Sequence, residues 1–255
     1  MTDNVAAQLW TVRSRCQDAA ALASTLAALR SIGYRAVELA GLGGIPTDDV
    51  RSIVEGAGMT SCSAHADSEQ ILEDPGAVVR TMKALGCDSL AYPYPRNQDL
   101  SSPEGVSRLC RRLSRAGEVF HSEGITFSYH HHAIELQKVG GRTVLETILE
   151  QTDPRLLQLQ PDTYWLQAGG VDPARWITRF AGRVPLLHVK DYGVDSAGKA
   201  IFREIGAGNL DWTGILSAAR KAGCKWHIVE QDDHWSGGDP VESLRMSWYH
   251  LARSS

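Results

Sequence analysis

The 255-residue sequence lacks the features that direct a chain into or across a membrane. No stretch approaches the ~18 consecutive apolar residues of a membrane-spanning helix. The N-terminal residues show neither a basic region nor a long apolar core, so no signal peptide is expected. The five cysteines are odd in number, widely spaced and without a CxxC pair, which indicates reduced thiols. These absences predict a cytoplasmic protein with no membrane partner.

Clustered basic charge is missing too. The chain carries 26 Lys and Arg against 30 Asp and Glu, a formal net charge of −4. A dedicated nucleic-acid surface needs clustered Lys and Arg to neutralise phosphates, so we expect no nucleic-acid partner. Apolar residues make up 43% and charged residues 22% of the chain, ordinary values for a globular protein with a sizeable core.

There is no Pro- or Ser-rich linker, and Gly41, Gly43 and Gly44 do not complete a dinucleotide-binding GxGxxG motif. Short apolar runs alternate instead with helical periodicity. Eight such pairs in one chain of this length predict an α/β fold, a single (β/α)8 TIM barrel over residues 1–255. The predicted strands are Val5–Leu9, Ala36–Leu39, Thr60–His65, Ser89–Tyr92, Ile125–His131, Leu156–Gln160, Pro185–Val189 and Trp226–Glu230. The predicted helices are Ala19–Arg30, Thr47–Gly58, Ser68–Leu85, Pro103–Glu123, Arg142–Thr152, Pro173–Ala181, Asp211–Ala222 and Pro240–Ala252.

A run of three histidines, His130, His131 and His132, ends the fifth predicted strand, and Glu135 follows. Histidine titrates near neutrality and is the commonest metal ligand, so three imidazoles at a strand end suggest chemistry. On an extended backbone His130 and His132 point to one side and His131 to the other. We therefore predict that His130 and His132 face a common site. The alternative is a polar strand end whose imidazoles bond to backbone carbonyls.

Most predicted strands end in a metal-capable or titratable side chain, although a barrel interior prefers Val, Ile and Leu. Catalytic residues of such barrels lie at these carboxyl ends. A shared position makes separate structural explanations, such as helix capping, less attractive for the whole set. The side chains concerned are Gln8, Glu38, His65, His130, His131, His132, Asp162, His188, Lys190 and Glu230.

The last three predicted strands end in Asp162, His188 and Glu230, which would be neighbours around the barrel. A divalent ion accepts such a mixed set of imidazole and carboxylate ligands. Lys190 shares the parity of His188, and its ammonium would suit a substrate oxyanion. A fourth ligand should come from the fifth strand, where His130, His132 and Glu135 compete.

Six segments carry a resemblance to a known family: QLWTVRSR at Gln8–Arg15, YHHHAIEL at Tyr129–Leu136, DTYWLQAGGVDP at Asp162–Pro173, LLHVKD at Leu186–Asp191, IGAGNLDW at Ile205–Trp212 and VEQD at Val229–Asp232. In register along nearly the whole chain, they resemble the sugar phosphate isomerase/epimerase family of the xylose isomerase-like TIM-barrel superfamily. The resemblance implies a divalent metal site of Glu, Asp, His and Glu from strands five to eight, and Asp162, His188 and Glu230 match the last three. Where many relatives have Glu-Asn, this chain has His130-His131, so we predict Glu135 as the fourth ligand, with His130 as the alternative.

The resemblance further implies a metal-dependent isomerase or epimerase that removes a proton α to a carbonyl of a small sugar and passes through an enediolate. Mn²⁺ is the expected cofactor, with Mg²⁺, Co²⁺ and Zn²⁺ as alternatives. If a β-hydroxyl or β-glycosyl group leaves, the same first step makes the enzyme a lyase on a keto-sugar, keto-inositol or 3-keto-glycoside. The predicted catalytic residues are His130, His132, Glu230 and Lys190, and the predicted substrate-binding residues are Gln8, Trp10, Glu38, His65 and Tyr164.

Two readings from other classes stay open. One is a phosphodiesterase acting on abasic DNA, against which the net charge of −4 counts. The other is a metal-free sugar-binding or regulatory barrel, in which the strand-end residues only hold a ligand. The small-molecule partner would be a sugar or a cyclic polyol, and assembly with further copies of the chain is left open.

Overall fold

Eight parallel strands curve into a barrel in the computed structural model, which describes residues 4–253. Two short antiparallel hairpins lie outside this sheet. The eight strands confirm the predicted (β/α)8 barrel. In chain order the strands are β1 (Val5–Gln8), β2 (Ala36–Leu39), β3 (Thr60–His65), β4 (Ser89–Tyr92), β5 (Thr126–His130), β6 (Lys138–Val139), β7 (Arg142–Thr143), β8 (Gln158–Gln160), β9 (Leu186–Val189), β10 (Asp191–Val194), β11 (Ala200–Arg203) and β12 (Trp226–Val229).

The closing seam of the barrel lies between β8 and β9. The hydrogen-bonded order runs β8, β5, β4, β3, β2, β1, β12, β9. Across the seam the chain makes a single bridge between Asp162 and His188, and the His188 N–H donates to the Pro161 carbonyl at 2.9 Å. The seam therefore passes through two of the predicted metal ligands.

Helices surround the strands and pack their apolar faces on the outside of the barrel. Several begin at an aspartate whose carboxylate accepts a backbone N–H of the first turn, as Asp18, Asp74 and Asp211 do. None of the helices in residues 4–253 is long and apolar enough to cross a bilayer. They are α1 (Ala19–Ile32), α2 (Thr47–Gly56), α3 (Ser68–Glu73), α4 (Pro75–Leu85), α5 (Pro103–Ser122), α6 (Val144–Gln151), α7 (Thr163–Ala168), α8 (Pro173–Arg179), α9 (Trp212–Ala222) and α10 (Pro240–Arg253).

Three predicted elements differ in the structure. The helix predicted over Ser68–Leu85 is two helices, because Asp74 ends α3 and caps α4 and Pro75 supplies no N–H to continue the first. The helix predicted from Arg142 begins at Val144, after a hairpin whose turn is Gly140 and Gly141, both with positive φ. The loop predicted after β9 contains the β10–β11 hairpin, and the short α7 was not predicted.

Polar residues occupy the carboxyl-terminal part of the barrel interior. At the amino-terminal end a small apolar cluster of Ala6, Ala36, Leu186 and Ile228 fills the space. One layer higher, the interior side chains are fully buried and polar, and they belong to the site described below. They are Gln8, Glu38, Gln160 and His188.

His227 lies at the amino-terminal end of β12, in contact with the side chain of Asn4 at 3.2 Å. Burial, with a smaller contribution from the charge of Arg220, lowers the pKa of His227 to about 4. An unfolded histidine titrates near ~6.5, so its neutral burial stabilises the fold above that pH and the contribution is lost as pH falls toward 4.

As the pH falls from 7 toward 4, burial of His227 should lower the free energy of unfolding of the parent protein by up to ~3 kcal/mol, because its pKa lies ~2.5 units below the unfolded value and each unit corresponds to ~1.36 kcal/mol. We expect His227→Gln to abolish this loss. Urea unfolding at pH 7 and pH 4.5 measures it. His121→Gln is the control, because His121 is an exposed residue of α5. This variant should keep the acid dependence of the parent protein. An acid dependence that His227→Gln leaves unchanged would contradict this assignment.

Candidate functional site

Four buried side chains meet at the carboxyl end of the barrel: His130 of β5, Asp162 after β8, His188 of β9 and Glu230 after β12. Each offers one ligand atom, and these atoms all lie within 4.8 Å of one another. His188 Nδ1 is 2.9 Å from Glu230 Oε2 and 3.8 Å from Asp162 Oδ2. The rings of His130 and His188 have centroids 4.4 Å apart. The set combines two imidazoles with two carboxylates.

Two polar atoms on residues of this cluster have no hydrogen-bond partner within residues 4–253. They are His130 Nδ1 and Asp162 Oδ2, both buried, although Lys190 Nζ lies 3.2 Å from the carboxylate oxygen. Buried polar atoms are nearly always paired, so two unpaired ones on residues of one cluster indicate a missing partner. Imidazole and carboxylate donors are those that Mn²⁺, Zn²⁺ and Co²⁺ accept. The residues therefore fit a divalent cation.

The two oxygens of Asp162 have different roles. Oδ1 accepts the backbone N–H of Trp165 at 3.0 Å and caps α7, which leaves Oδ2 to face the cluster. The backbone N–H of Asp162 donates to His131 Nε2 at 3.1 Å, and His131 Nδ1 bonds to the His132 carbonyl at 3.0 Å. These partners assign the proton of His131 to Nδ1, and burial lowers its pKa to about 4. His131 thus points away from the site and connects β5 to Asp162.

Glu38 lies below the cluster, fully buried, with both oxygens occupied. Gln160 Nε2 donates to Oε1 at 2.6 Å, and Gln8 Nε2 donates to Oε2. His188 Nε2 lies 2.6 Å and His65 Nε2 3.3 Å from the same Oε2. With Nε2 bound to Glu38, His188 directs Nδ1 at Asp162 and Glu230. The structure thus places Gln8 and Glu38, both predicted to bind substrate, beneath the site, where Glu38 bonds to His188 and Gln8 bonds to Glu38.

The structure does not bring Glu135 to the other ligands. Its Oε1 accepts the Tyr129 hydroxyl at 3.0 Å, and its Oε2 accepts the His132 N–H at 2.8 Å. The second bond caps the short 3₁₀ helix Ala133–Leu136, which begins directly after the histidines. Burial raises the pKa of Glu135 to about 7. The prediction of Glu135 as a ligand does not fit this geometry, because local capping directs the carboxylate back into the strand end, and His130 is in the cluster instead.

Lys190 is buried beside the same carboxylates, and only 1% of its surface is exposed. Its Nζ lies 2.7 Å from Glu230, 2.9 Å from Asp232 and 3.2 Å from Asp162. Burial opposes protonation, but these three carboxylates outweigh it and hold the pKa of Lys190 well above its usual range. Nζ also lies 5.6 Å from the ring centroid of Trp165. The ammonium therefore stays charged and fixed.

His132 is a neutral imidazole that lines the cavity without joining the ligand cluster. Burial and then the charge of Lys190 lower its pKa to about 3. Three rings surround it with centroids 4.9–5.4 Å away, those of His130, Tyr94 and Trp165. The parity prediction for this pair agrees with their positions, since both His130 and His132 line the cavity.

A cavity of about 370 Å³ opens above the cluster. Tyr164 is not among its lining residues, because its ring stacks on Phe202 at 4.1 Å and is 5% exposed. Trp10 lies at the mouth and is 43% exposed. The predicted residues that line the cavity are Trp10, His65, His130, His132, Lys190 and Glu230. The lining residues that the predicted set lacks are Ala40, Gly41, Asp67, Ser68, Pro93, Tyr94, Arg96 and Asp232.

Most of the missed lining residues lie in loops after β2, β3, β4 and β12. Strand periodicity assigns no face to a loop residue, so only their place directly after a strand end could have pointed to them. Among these residues, Asp232 could most easily have been predicted from the sequence, because it belongs to the VEQD segment that carries the family resemblance.

Comparison with known proteins places the chain in a family. A family model described as xylose isomerase-like TIM barrel matches residues 26–249. An inosose dehydratase of Geobacillus thermodenitrificans is 26% identical over 147 residues, which are 51% of this chain and 48% of that protein. The chain spans about half the length of the curated relatives it matches.

Solved structures agree with the fold. A sugar phosphate isomerase/epimerase from Parabacteroides distasonis superimposes with a TM-score of 0.85 at 21% identity, covering 98% of this chain and 94% of that one. A xylose isomerase-like TIM barrel protein from Mycobacterium smegmatis, solved in complex with magnesium, has a TM-score of 0.76 at 13% identity and covers 99% and 96%. The family match spans most of the chain, and its barrel has the expected eight parallel strands. The chain therefore belongs to the xylose isomerase-like TIM-barrel family.

Proposed function

We propose that this protein is a divalent-metal-dependent enzyme that removes a proton α to the carbonyl of a small sugar or cyclic polyol. The observation that carries the proposal is the arrangement of three groups on one cavity: a cluster of metal-capable donors, a neutral imidazole and a buried ammonium. The dehydratase and isomerase names of the relatives, and the magnesium of one fold neighbour, support it. Mn²⁺ is the proposed ion, with Mg²⁺, Co²⁺ and Zn²⁺ as alternatives.

His130, Asp162, His188 and Glu230 would hold the ion, with His130 in the place first assigned to Glu135. The ion would act as a Lewis acid on the substrate carbonyl. Glu38, held by its two glutamines, orients His188 so that Nδ1 is available to it.

His132 is the proposed general base. It lines the cavity without being tied to the ligand cluster, and burial together with the charge of Lys190 lowers its pKa, so the imidazole is neutral at neutral pH. A positioned base of this kind contributes ~10²–10⁴-fold to rate. Glu230, predicted from the sequence both as a metal ligand and as a catalytic residue, is proposed here as a ligand only.

Lys190 is the proposed acid, donating from Nζ to the oxygen that gains charge or leaves. Asp232 lies 2.9 Å from Nζ and would stay beside the ammonium when Asp162 and Glu230 bind an ion. A β-elimination needs one base to remove the α-proton and one acid to protonate the leaving oxygen, and each group acts once. His132 as the base and Lys190 as the acid suit this reaction. A dehydratase or other lyase is therefore the first outcome that we propose, in line with the inosose dehydratases among the relatives.

An isomerase or epimerase is the second proposed outcome. The same first proton transfer to His132 serves it, and the sugar phosphate isomerase/epimerase of P. distasonis shares the fold over nearly the whole chain. Here His132 would have to return its proton to the substrate.

Turnover in D₂O on a panel of ketoses, inososes and 3-keto-glycosides with Mn²⁺ tests the proposal. Proton NMR should show exchange of the α-proton with at least one substrate, followed by loss of water or of the glycosyl group. A change in stereochemistry without elimination would select the second outcome. Absence of exchange across the panel, or exchange that survives exhaustive chelation, would overturn the proposed function.

We expect Glu38→Gln to weaken Mn²⁺ binding by ~10–100-fold, the usual effect of losing the carboxylate that orients a ligating histidine. Electron paramagnetic resonance titration of Mn²⁺ measures this without reference to activity. Glu204→Gln is the matched control, because Glu204 is also buried but bonds to Ser236 and Ser243 outside the site. Equal Mn²⁺ affinity in both variants would show that Glu38 does not act on His188.

A further inference from the structure

His65, the last residue of β3, lies against both histidines of the ligand cluster. Its ring stacks on that of His188, with centroids 5.6 Å and planes 4° apart, and its centroid is 5.3 Å from that of His130. Only 12% of the side chain is exposed, and the residue lines the cavity. A substrate bound at the cluster would therefore lie next to this ring.

Two buried amides fix the hydrogen bonding beneath His65. Gln8 Oε1 accepts the Trp10 N–H at 3.2 Å, so Gln8 Nε2 is the atom that donates to Glu38 Oε2. Gln160 Nε2 donates to Glu38 Oε1 at 2.6 Å, and Gln160 Oε1 then faces His65 Nε2 at 3.1 Å. A carboxylate accepts hydrogen bonds and cannot donate them, so this orientation of the Gln160 amide is the one that pairs both of its polar atoms.

These partners place the proton of a neutral His65 on Nε2. That nitrogen faces two acceptors, Gln160 Oε1 at 3.1 Å and Glu38 Oε2 at 3.3 Å. Neither oxygen can donate a hydrogen bond, so Nε2 must be the donor. In a neutral imidazole the second nitrogen is then an unprotonated acceptor. Nδ1 is thus the ring atom left for a ligand in the cavity, and it can only accept.

We infer that His65 Nδ1 accepts a hydrogen bond from a substrate hydroxyl group next to the carbonyl, because Gln160 and Glu38 hold the ring proton on Nε2. The inference rests on the proposed function and gives that reaction a specificity-determining atom. The ring lies against both histidines of the cluster, so the hydroxyl within its reach is one close to the carbonyl. A ketone without that hydroxyl would leave Nδ1 without a partner, and such a loss weakens binding.

NMR of protein labelled with ¹⁵N in its histidines tests the tautomer without reference to activity. The Mg²⁺-loaded protein is used, because Mn²⁺ is paramagnetic and broadens nearby signals. We expect the His65 ring to carry a proton on Nε2 and none on Nδ1, with its signals identified by their loss in His65→Gln. A proton on Nδ1 would overturn the inference, since that nitrogen could not then accept a hydroxyl.

Matched ligands test the hydrogen bond itself on the Mn²⁺-loaded protein. Inosose is compared with 2-deoxyinosose, and fructose with 1-deoxyfructose and 3-deoxyfructose, each of which lacks one hydroxyl next to the carbonyl. Calorimetric titration should show at least one hydroxyl-bearing ligand binding about tenfold more tightly than its deoxy partner. A parent protein without any such preference overturns the inference, and so does a panel in which no ligand binds.

Variants of His65 separate its contribution from that of the ion, which could also bind the hydroxyl. His65→Gln keeps a donor near the position of Nε2 and places no acceptor near Nδ1, whereas His65→Asn keeps an oxygen near Nδ1. We expect His65→Gln to reduce the preference for the hydroxyl by about tenfold and His65→Asn to reduce it less. Mn²⁺ content is measured on each sample, so that loss of the ion is recognised.

His227→Gln is the matched control, because it makes the same substitution at a buried histidine outside the cavity. This variant should keep the full preference of the parent protein. A preference that His65→Gln also keeps would show that Nδ1 does not contact the hydroxyl and would overturn the inference.

The inference and the proposed function fail separately. Exchange of the α-proton that is equally fast on the deoxy ligands and in His65→Gln would overturn the inference and leave the metal-dependent proton abstraction standing. A preference for the hydroxyl that depends on His65, without any α-proton exchange, would support the inference as a binding contact and reject the enzyme.

Discussion

Asp162→Asn should bind Mn²⁺ far more weakly than the parent protein and lose turnover, while the barrel stays folded. The expected loss of affinity exceeds the ~10–100-fold that removal of an outer hydrogen-bond partner costs, because a proposed ligand itself is neutralised. Asparagine is as good a helix cap as aspartate, so its oxygen can keep the 3.0 Å bond to Trp165 that begins α7. The second oxygen, the one facing the cluster, is replaced by an uncharged amide NH2 group, which donates hydrogen bonds and does not bind a cation.

Asp172→Asn provides the matched control for this experiment. Asp172 caps α8 by accepting the Arg175 N–H at 2.7 Å, so the substitution makes the same change at a cap outside the site. Mn²⁺ titration and the unfolding midpoint are measured for both variants. Full metal and full turnover in Asp162→Asn would reject the assignment of the cluster, and a loss of stability with metal content unchanged would show that Asp162 is only structural.

His132→Gln should keep its metal and lose ~10²–10⁴-fold in turnover, the contribution expected of a general base. His132 stands apart from the ligand cluster and lines the cavity, so the amide should leave the ion in place. Exchange of the substrate α-proton with deuterium isolates the affected step. Metal content measured on the same sample separates this result from loss of the ion.

His130→Gln is compared with His132→Gln to separate loss of the ion from loss of the proton-transfer step. His130 belongs to the cluster, and its Nδ1 is buried without a partner, so this variant should lose the ion first and activity as a consequence. Glu135→Gln should retain the ion, since both of its oxygens are engaged elsewhere. If Glu135→Gln instead released the ion while His130→Gln kept it, the original prediction from sequence would be restored.

Backbone periodicity explains what could be predicted from the sequence. The alternation of apolar runs and helical patterns was enough for the barrel, and the two-residue period of a strand was enough to separate His131 from its neighbours. Both are local properties, repeated along the chain. The carboxyl ends of parallel strands then bring Asp162, His188 and Glu230 together by topology alone.

Side-chain partners decided by tertiary packing could not be predicted in this way. Glu38 meets Gln160 from 122 positions away, and no local pattern shows that both of its oxygens are occupied. The prediction of Glu135 as a metal ligand does not fit for the opposite reason. Its carboxylate accepts a short-range capping bond from the His132 N–H, which holds it away from the cluster. Asp232 lies in a loop, where neither period applies.

The seam between β8 and β9 gives the proposed ion a second consequence. Asp162 and His188, joined there by a single bridge, lie on its two sides, so an ion bound by both would act as a clasp across the least hydrogen-bonded junction of the barrel. Were the seam to part, β8 and β9 would become free sheet edges, the surfaces through which β-proteins aggregate. A metal-loaded protein would then be expected to resist aggregation better than the metal-free protein.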